Sequence, residues 1–268
     1  MLAQERYDLI ARVLAEKNSI KVSEVMQLCD ISHETARRDL EALQDQGLAK
    51  RVHGGAVLVP QSSTAAASSD SGRYSQRSHS GNLAVAKAAL SLVHAGDTIL
   101  LDAGRTVSHL AHYIRDLPDL FVVTPNLLVI NELRDGRVHL HGLAGELHHE
   151  EYAFTGKMTQ STFSAFNVDT AFISCAGLDL VQGYLTDYDD RGISRSLIRE
   201  HSDRMVLLLN SDKLRVRAFS NLCPISMLDT IVVDDRISPE HEEILRGTGV
   251  EVIIAPMLSD ADSDQQYT

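Results

Sequence analysis

Two short helical segments separated by only two residues constrain the fold of this chain more than any other feature. Residues 23–29 and 32–48 each begin with serine, a good N-cap, and repeat apolar residues at helical spacing. Only Asp30 and Ile31 lie between them, which leaves room for a tight turn. The pair predicts a helix-turn-helix, in which the first turns of the second helix meet base edges in a major groove.

An ordinary amphipathic surface helix is the alternative for residues 32–48, because paired arginines among acidic residues are common on solvated faces. The chain that follows favours a DNA reader. Residues 48–52 lead into 53–57, whose glycines suit a hairpin turn, and a helix followed by a basic hairpin outlines a winged helix-turn-helix. Residues 3–17 are predicted as a scaffold helix, and 19–22 as a strand that pairs with the hairpin.

From residue 82 onward, apolar runs alternate with segments of helical spacing. Strands are predicted at 98–101, 120–123, near 138, and at 171–174, 205–209, 231–233 and 250–254. Helices are predicted at 83–93, 107–115, 127–133, 159–166, 194–202 and 239–246. Because the strands are continuously apolar, they should be buried on both faces of a mainly parallel sheet. The fold class is α/β with an N-terminal winged helix-turn-helix.

Changes in composition divide the chain into four parts. Residues 1–59 form the winged helix-turn-helix, and residues 60–81, which begin with small polar side chains, are predicted as a flexible linker. Residues 82–258 form the α/β domain, and residues 259–268 are an acidic polar tail. The length of 268 residues suits a small reader joined to a core-forming domain.

The distribution of charge separates these parts further. The net charge is -12 for the chain and -1 for residues 1–59, which leaves -11 for the remainder. An acidic body of this kind repels DNA everywhere except at a basic face. The basic side chains of that face are Arg37, Arg38, Lys50 and Arg51. This arrangement suits site-specific binding to DNA and argues against a protein that coats nucleic acid.

The sequence predicts a cytoplasmic protein without a metal or cofactor. It has no apolar run long enough to span a membrane, no signal sequence, and three scattered cysteines that form neither a disulfide framework nor a CxxC site. Histidines and glutamates over 139–151 lack the helical spacing of a zinc site. A calcium loop beginning at Asp187 is also excluded, because Ile198 stands where the closing glutamate belongs.

Polar residues follow the predicted strands at the edge where parallel sheets bind ligands. They are Asp102, Gly104, Arg105, Thr106, Asn126 and Lys213. Each turn alone is more typical of a helix cap, but together they predict an anion pocket served by a helix N-terminus. Arg105 has two interpretations. It is a phosphate ligand that pairs with Asp102 when the pocket is empty, or it fills the pocket.

The first 59 residues resemble a known DNA-binding signature. Residues 31–40, Gly47, Leu48, Arg51 and 53–56 are similar to the signature of the DeoR family of transcriptional regulators, in which an isoleucine usually occupies the position of Ala36. The resemblance implies contacts to DNA bases and phosphates from residues of the second helix and of the wing. Those residues are Ser32, His33, Thr35, Arg37, Arg38, Arg51 and His53.

The α/β part resembles the effector domain of the same family, whose fold is similar to sugar-phosphate isomerases such as ribose-5-phosphate isomerase. Asp102, Gly104 and Thr106 match an Asp-x-Gly-Thr-Thr loop, whereas Arg105 replaces its first threonine and Asn210 replaces a family aspartate. The resemblance implies a phosphorylated sugar or similar metabolite as effector. It also implies a homo-oligomer, a dimer or tetramer, on double-stranded operator DNA.

Three functions remain open at this point. The first is a sequence-specific transcriptional regulator, a repressor of a sugar or related metabolite operon, controlled by a phosphorylated metabolite. The second is an enzyme similar to a sugar-phosphate isomerase with an appended DNA reader, which requires a positioned acid and base that no spacing marks. The third is a structural DNA-binding protein whose pocket binds nothing.

Overall fold

The computed structural model describes residues 3–17, 19–45, 49–52, 54–58, 69–149, 151–188 and 190–258. Three helices and a small sheet form the reader domain, which spans residues 3–58. Its helices are α1 (Ala3–Lys17), α2 (Val22–Cys29) and α3 (His33–Asp45), and its strands are β1 (Ser19–Lys21), β2 (Ala49–Val52) and β3 (Gly55–Leu58). The strands pair antiparallel in the order β1-β3-β2. The winged helix-turn-helix prediction is confirmed.

The reader helices pack around one apolar core and one ion pair. Leu14, Leu40 and Leu43 are fully buried with the other apolar residues of this core. Arg6 of α1 donates two hydrogen bonds, of 2.6 and 2.9 Å, to the carboxylate of Asp39 on α3. Because this bidentate geometry is directional, it fixes the rotation of α3 against α1.

The turn between α2 and α3 follows the sequence prediction with one correction. Val22, predicted as strand, begins α2, and the carboxylate of Glu24 accepts a hydrogen bond of 2.9 Å from the Lys21 backbone N–H. Ser23 is therefore not the N-cap. Asp30 ends α2 in the left-handed conformation at φ 52°, which aspartate tolerates better than most residues.

A long helix replaces part of the predicted linker. Helix α4 spans Ser69–Ala89 and is followed by a 3-10 turn over Leu90–Leu92. Residues 69–81, predicted as flexible linker, are therefore helical. They form one continuous helix with the apolar face that begins at Leu83. Residues 59–68 and the predicted tail at 259–268 lie outside the described residues.

The remaining strands and helices build the α/β domain. Its strands are β4 (Thr98–Leu101), β5 (Phe121–Thr124), β6 (His139–Gly142), β7 (Glu146–His148), β8 (Ala153–Thr155), β9 (Val168–Ile173), β10 (Gly177–Asp179), β11 (Tyr184–Asp187), β12 (Ser202–Leu209), β13 (Ser220–Pro224), β14 (Thr230–Asp234) and β15 (Glu251–Ala255). Its further helices are α5 (Arg105–Ile114), α6 (Leu127–Leu133), α7 (Lys157–Phe163), α8 (Arg195–Glu200) and α9 (Pro239–Gly247). Every element predicted in this part is present with ends shifted by a few residues, except the helix predicted at 83–93, which begins at Ser69 as α4.

Seven strands form a parallel sheet in the order β15-β14-β12-β9-β4-β5-β6. Alternate residues of the interior strand β12 enter two separate cores: Leu207 joins helices α7, α8 and α9 on one face, and Val206 joins α4, α5 and α6 on the other. The sheet is therefore covered on both faces, as the continuous apolar runs predicted.

Two smaller sheets complete the domain and were not predicted. Strands β10, β11 and β13 pair antiparallel in that order, and β7 pairs with β8 as a hairpin. Most of these strands have only three or four residues, which is too short for an alternating pattern to be recognised. Leu178 and Leu185 of the three-stranded sheet are buried in the core on the α7, α8 and α9 face.

A histidine pair between α4 and α5 makes the stability of the domain sensitive to pH. His79 and His109 meet edge to face with ring centroids 5.2 Å apart. Burial, and to a smaller extent the neighbouring His79, His112 and Arg105, lower the pKa of His109 to about 4. At pH values between about 4 and 6.5, His109 is therefore neutral in the folded chain and protonated in the unfolded chain.

We expect acidification from pH 7 to pH 5 to reduce the free energy of unfolding by about 2 kcal/mol through this histidine. The folded pKa lies below the unfolded value of 6.5, so the stability is present above pH 6.5 and is lost as the pH falls toward 4. Urea unfolding of the full chain at both pH values measures the loss. His109→Gln should reduce this pH dependence, whereas exposed His94→Gln should retain it; an unchanged dependence in His109→Gln would contradict the assignment.

Candidate functional site

Four neighbouring strands carry the candidate site at their carboxyl ends, three of them with predicted effector residues and the fourth, β9, with Ser174. Asp102 follows β4, Asn126 follows β5, Ser174 follows β9, and Lys213 lies in the 3-10 turn after β12. Because all of these strands run parallel, their ends meet at one edge of the sheet. The structure thus brings together loops that are far apart in the sequence.

A buried ion pair lies at the centre of this edge. The carboxylate of Asp102 is only 2% exposed and accepts a hydrogen bond from Nη1 of Arg195, the first residue of α8. The same guanidinium donates through Nη2 to the backbone oxygen of Ser174 at 3.0 Å. Burial, the largest single effect, lowers the pKa of Arg195, but the charge and the hydrogen bond of Asp102 together with the charge of Asp187 outweigh it and raise this pKa above its ordinary value. Arg195 therefore stays charged.

Ser174 is the residue at which three parts of the site meet. Lys213 donates from Nζ to Ser174 Oγ at 3.3 Å and to the Cys175 backbone oxygen at 2.7 Å. Gly104 lies so close that an added Cβ would be 2.9 Å from Ser174 Cβ, and its φ of 121° also favours glycine. Two cationic side chains and a glycine loop therefore surround one serine.

Asn126 joins the loops after β4 and β5. Its side-chain oxygen caps α6 by accepting the Leu128 N–H at 2.9 Å. Its amide nitrogen donates to the backbone oxygens of Asp102 at 3.4 Å and Gly104 at 3.3 Å. The residue is fully buried, so its amide fixes the loop rather than lying free in a pocket.

Two predicted site residues have surroundings that the sequence did not indicate. Arg105 is exposed at the first position of α5, and the partner of Asp102 is Arg195, so the predicted pairing of Arg105 with Asp102 is wrong. Thr106 is buried, and its hydroxyl donates to the side-chain oxygen of Asn82 on α4 at 3.0 Å. Its side chain therefore points toward α4, although its backbone belongs to the first turn of α5.

The sequence analysis missed Ser174 and Arg195 as site residues. Arg195 lies 93 positions from Asp102, and its surroundings resemble an ordinary amphipathic helix. Ser174 follows an apolar run, which is the only signal that could have identified it. The rule that ligands bind at the carboxyl ends of parallel strands identifies such residues only when every strand end is examined in turn.

The residues predicted to read DNA lie at the start of α3. Ser32 caps the helix by accepting the Thr35 N–H at 3.3 Å, and Arg37 is exposed. Arg38 lies 3.5 Å from Glu34 in an exposed pair along the helix. His33 is exposed at the first position of α3, whereas His53 lies outside the described residues.

Arg51 of the wing points back toward the same helix. Its Nη1 donates to the Glu41 carboxylate at 2.5 Å, and its backbone N–H donates to the Gln44 side-chain oxygen at 2.9 Å. Arg51 is thus held by two residues from the second half of α3, not by its first turns.

The described residues contain no group of three or more histidine, cysteine or acidic side chains arranged to hold a metal. Within this part of the chain, no helix is long and apolar enough to cross a bilayer. Asp189 of the excluded calcium loop lies outside the described residues.

Two family models match separate parts of the chain. One, described as the DeoR-like helix-turn-helix domain, matches residues 6–62. The other, described as the DeoR C terminal sensor domain, matches residues 78–235 and so covers more than half of the chain by itself. The two matches coincide with the reader domain and with most of the α/β domain.

Relatives with both parts match nearly the whole chain. The repressor GlcR of Bacillus subtilis is 27% identical over 95% of this chain and 97% of its own length. The lactose phosphotransferase system repressor of Staphylococcus epidermidis is 28% identical over 90% and 95%. Ribose 5-phosphate isomerase A of Methanocaldococcus jannaschii is 19% identical over 50% and 53%, with a TM-score of 0.36. The fold assignment rests on the strand order and on the family models.

We expect Arg195→Met to destabilise the α/β domain by about 3 kcal/mol, because it leaves the buried Asp102 carboxylate without its partner. Chemical unfolding of the full chain measures this loss. Asp102→Asn combined with Arg195→Met should lose less than Arg195→Met alone, since no buried charge remains. Arg246→Met, at a half-exposed pair within α9, is the control and should stay near the parent. Equal losses of stability in Arg195→Met and Arg246→Met would contradict the central role of the pair between Asp102 and Arg195.

Proposed function

The chain belongs to the DeoR family of transcriptional regulators, and from this premise we propose that it represses an operon for a sugar or related metabolite. Membership makes it a DNA-binding regulator rather than an enzyme. The proposal that it represses rests on its likeness to GlcR and to the lactose phosphotransferase system repressor. Direct contact with operator DNA is assigned to the reader domain.

The effector in this proposal is a phosphorylated sugar or a similar metabolite. The observation that carries it is the arrangement of Lys213, Arg195 and Gly104 around Ser174, beside the N-terminus of α5. A phosphate is favoured there because the helix N-terminus offers backbone N–H donors and a positive dipole end, to which lysine adds a point charge. Arg105, exposed at the start of α5, is the further cation at the edge of this site.

The isomerase alternative gains no support from the site. Isomerisation of a sugar phosphate requires an acid or base free to exchange a proton with the substrate. Asp102 is instead held in an ion pair by Arg195. Asp187 is half-buried and accepts backbone N–H groups of Ala176 and Tyr188. These carboxylates serve the structure of the loops.

The proposed reading surface is the exposed start of α3. Ser32, His33 and Thr35 lie at the helix N-terminus, where recognition helices meet base edges, and Arg37 and Arg38 follow one turn later. Operators read by such domains have two half-sites related by two-fold symmetry. We therefore infer that the chain acts as a homo-oligomer of at least two copies.

Control of DNA binding is assigned to helix α4, which connects the two domains. The side-chain oxygen of Asn82 accepts hydrogen bonds from Thr106 at 3.0 Å and from Asn210 at 2.6 Å, so α4 contacts the loops after both β4 and β12. An effector that shifts these loops moves Thr106 and Asn210, which are the hydrogen-bond partners of the buried Asn82 on α4. Because α4 leads toward the reader, such a shift changes how the reader domains are placed.

A direct contact supports the same control. Phe219 of the α/β domain lies against the wing, where an added Cβ at Gly54 would come 2.5 Å from its ring. The ring centroid is 5.7 Å from Lys21 Nζ. The segment that carries Phe219 begins at the 3-10 turn holding Lys213, so the effector site and the wing contact lie within one short stretch of chain.

Replacing Arg37 or Arg38 with alanine should weaken binding of a duplex selected from a random library by the parent. An arginine that reads a base should cost roughly 1 to 3 kcal/mol and relax specificity, whereas one on a phosphate should weaken all sequences alike and lower the salt slope by about 1. Fluorescence anisotropy across a salt series distinguishes an arginine that contacts a base from one that contacts a phosphate. Arg134→Ala, on the far domain, should bind as the parent does; parent-like binding by both α3 variants would exclude this surface.

Arg105→Thr tests the effector site. The probes are hexose phosphates, inorganic phosphate and the unphosphorylated sugars, ranked by melting shift and then measured by calorimetry. We expect the substitution to weaken the phosphorylated compound that the parent binds, because a bidentate cation is lost. If Arg105 instead fills the pocket, the variant should bind a compound that the parent rejects. Arg134→Thr is the matched control. Unchanged affinity and range in Arg105→Thr would place the site elsewhere.

A further inference from the structure

Arg51 of the wing is hydrogen-bonded to α3, the proposed recognition helix, and these contacts bear on its role. The Arg51 side chain is only 21% exposed, and its guanidinium lies 2.5 Å from the Glu41 carboxylate. The backbone N–H of the same residue reaches Gln44 at 2.9 Å. One residue of β2 is therefore held at both its backbone and its side chain by neighbouring turns of α3.

The exposed arginine-carboxylate pair formed within α3 differs in each of these respects. Arg38 and Glu34 are 75% and 69% exposed, 3.5 Å apart, and lie on one helix rather than joining two elements. Such a pair is weak and its arginine can turn toward DNA at little cost. Arg51 cannot reach a phosphate without leaving Glu41, and it would then leave an unpaired carboxylate facing the DNA backbone.

Besides its buried core residues and the Phe219 contact at Gly54, the wing has few directional contacts among the described residues. Strand β2 is the edge of the three-stranded sheet and pairs only with β3 among the described strands. On the opposite side, the Val22 N–H donates to the Gly54 oxygen at 2.8 Å and ties the wing turn to the start of α2. Glu41 and Gln44 provide the matching attachment to α3.

We propose that Glu41, Gln44 and Arg51 position the wing against the recognition helix, and that Arg51 does not bind a DNA phosphate. This inference refines the proposal that the exposed start of α3 is the reading surface, and it rests on that proposal. It replaces the role that the family signature implied for Arg51. The charge of Arg51 is used within the protein, so among the described side chains of the reading surface the cations available to DNA are Arg37 and Arg38, whose pair with Glu34 is exposed.

The test uses the full chain, a mixed-sequence 30-base-pair duplex and a salt series, so that no operator is needed. Arg51→Gln removes the cation, and Glu41→Gln removes its partner while keeping Arg51. If the pair positions the wing, both variants bind about fivefold more weakly, the double variant is no weaker than either, and the salt slope stays that of the parent. Amide exchange at residues 49–52 also becomes faster in both variants without DNA.

Matched controls come from the exposed pair. Glu34→Gln removes a negative charge without disturbing the wing and should bind as tightly as the parent or tighter, opposite in sign to Glu41→Gln. Arg38→Gln should lower the salt slope by about 1 and leave amide exchange in the wing unchanged. If Arg38→Gln keeps the parent slope, the reading surface is wrong whatever the wing variants show.

Three results would overturn the positioning role. They are a salt slope that falls in Arg51→Gln, parent-like or tighter binding by Glu41→Gln, and parent-like binding by Arg51→Gln. Circular dichroism of each variant checks that the reader domain is folded. If Arg51→Gln does not fold, Glu41→Gln decides the matter, because it is isosteric and changes a half-exposed side chain.

Discussion

The buried pair between Asp102 and Arg195 is the interaction on which the α/β domain depends. A carboxylate in an apolar interior is strongly unfavourable unless a cation and hydrogen bonds replace its water, and Arg195 supplies both. In doing so it joins the loop after β4, the end of β9 and the start of α8. Lys213 reaches Ser174 from the turn after a third strand, β12, so the geometry of the proposed anion site follows from one pair of charges.

The reader domain uses the same device on a smaller scale. Arg6 and Asp39 join α1 to α3 through a bidentate pair, and Arg51 and Glu41 join the wing to α3. The recognition helix is thus held on two sides by directional contacts, while its apolar residues enter the core. Apolar packing alone tolerates small rotations of a helix, whereas forked hydrogen bonds do not. A helix that must match base edges benefits from this restriction.

Local pattern was sufficient for elements whose apolar residues repeat without interruption. The sequence predicted α1 over 3–17, β4 over 98–101 and α6 over 127–133, and the structure has the same limits. It also predicted that the loops after β4, β5 and β12 lie together, because parallel strands share one carboxyl edge. It could not predict Arg195, since nothing in residues 194–202 shows which of many carboxylates a distant fold will bring to it.

The same limit explains the error at helix α4, and the correction changes how the two domains are joined. Residues 69–81 have the composition of a linker, yet Gly81 lies where an added Cβ would meet Arg236 Nη2 at 2.2 Å, and Asn82 is buried between Thr106 and Asn210. Long-range contacts hold the end of this segment in a helix against its composition. A helix fixed at the loops of the proposed effector site moves with them as a rigid body, whereas a flexible linker of the same length would absorb their movement. The proposed regulation through α4 therefore depends on its being a helix before it leaves the α/β domain.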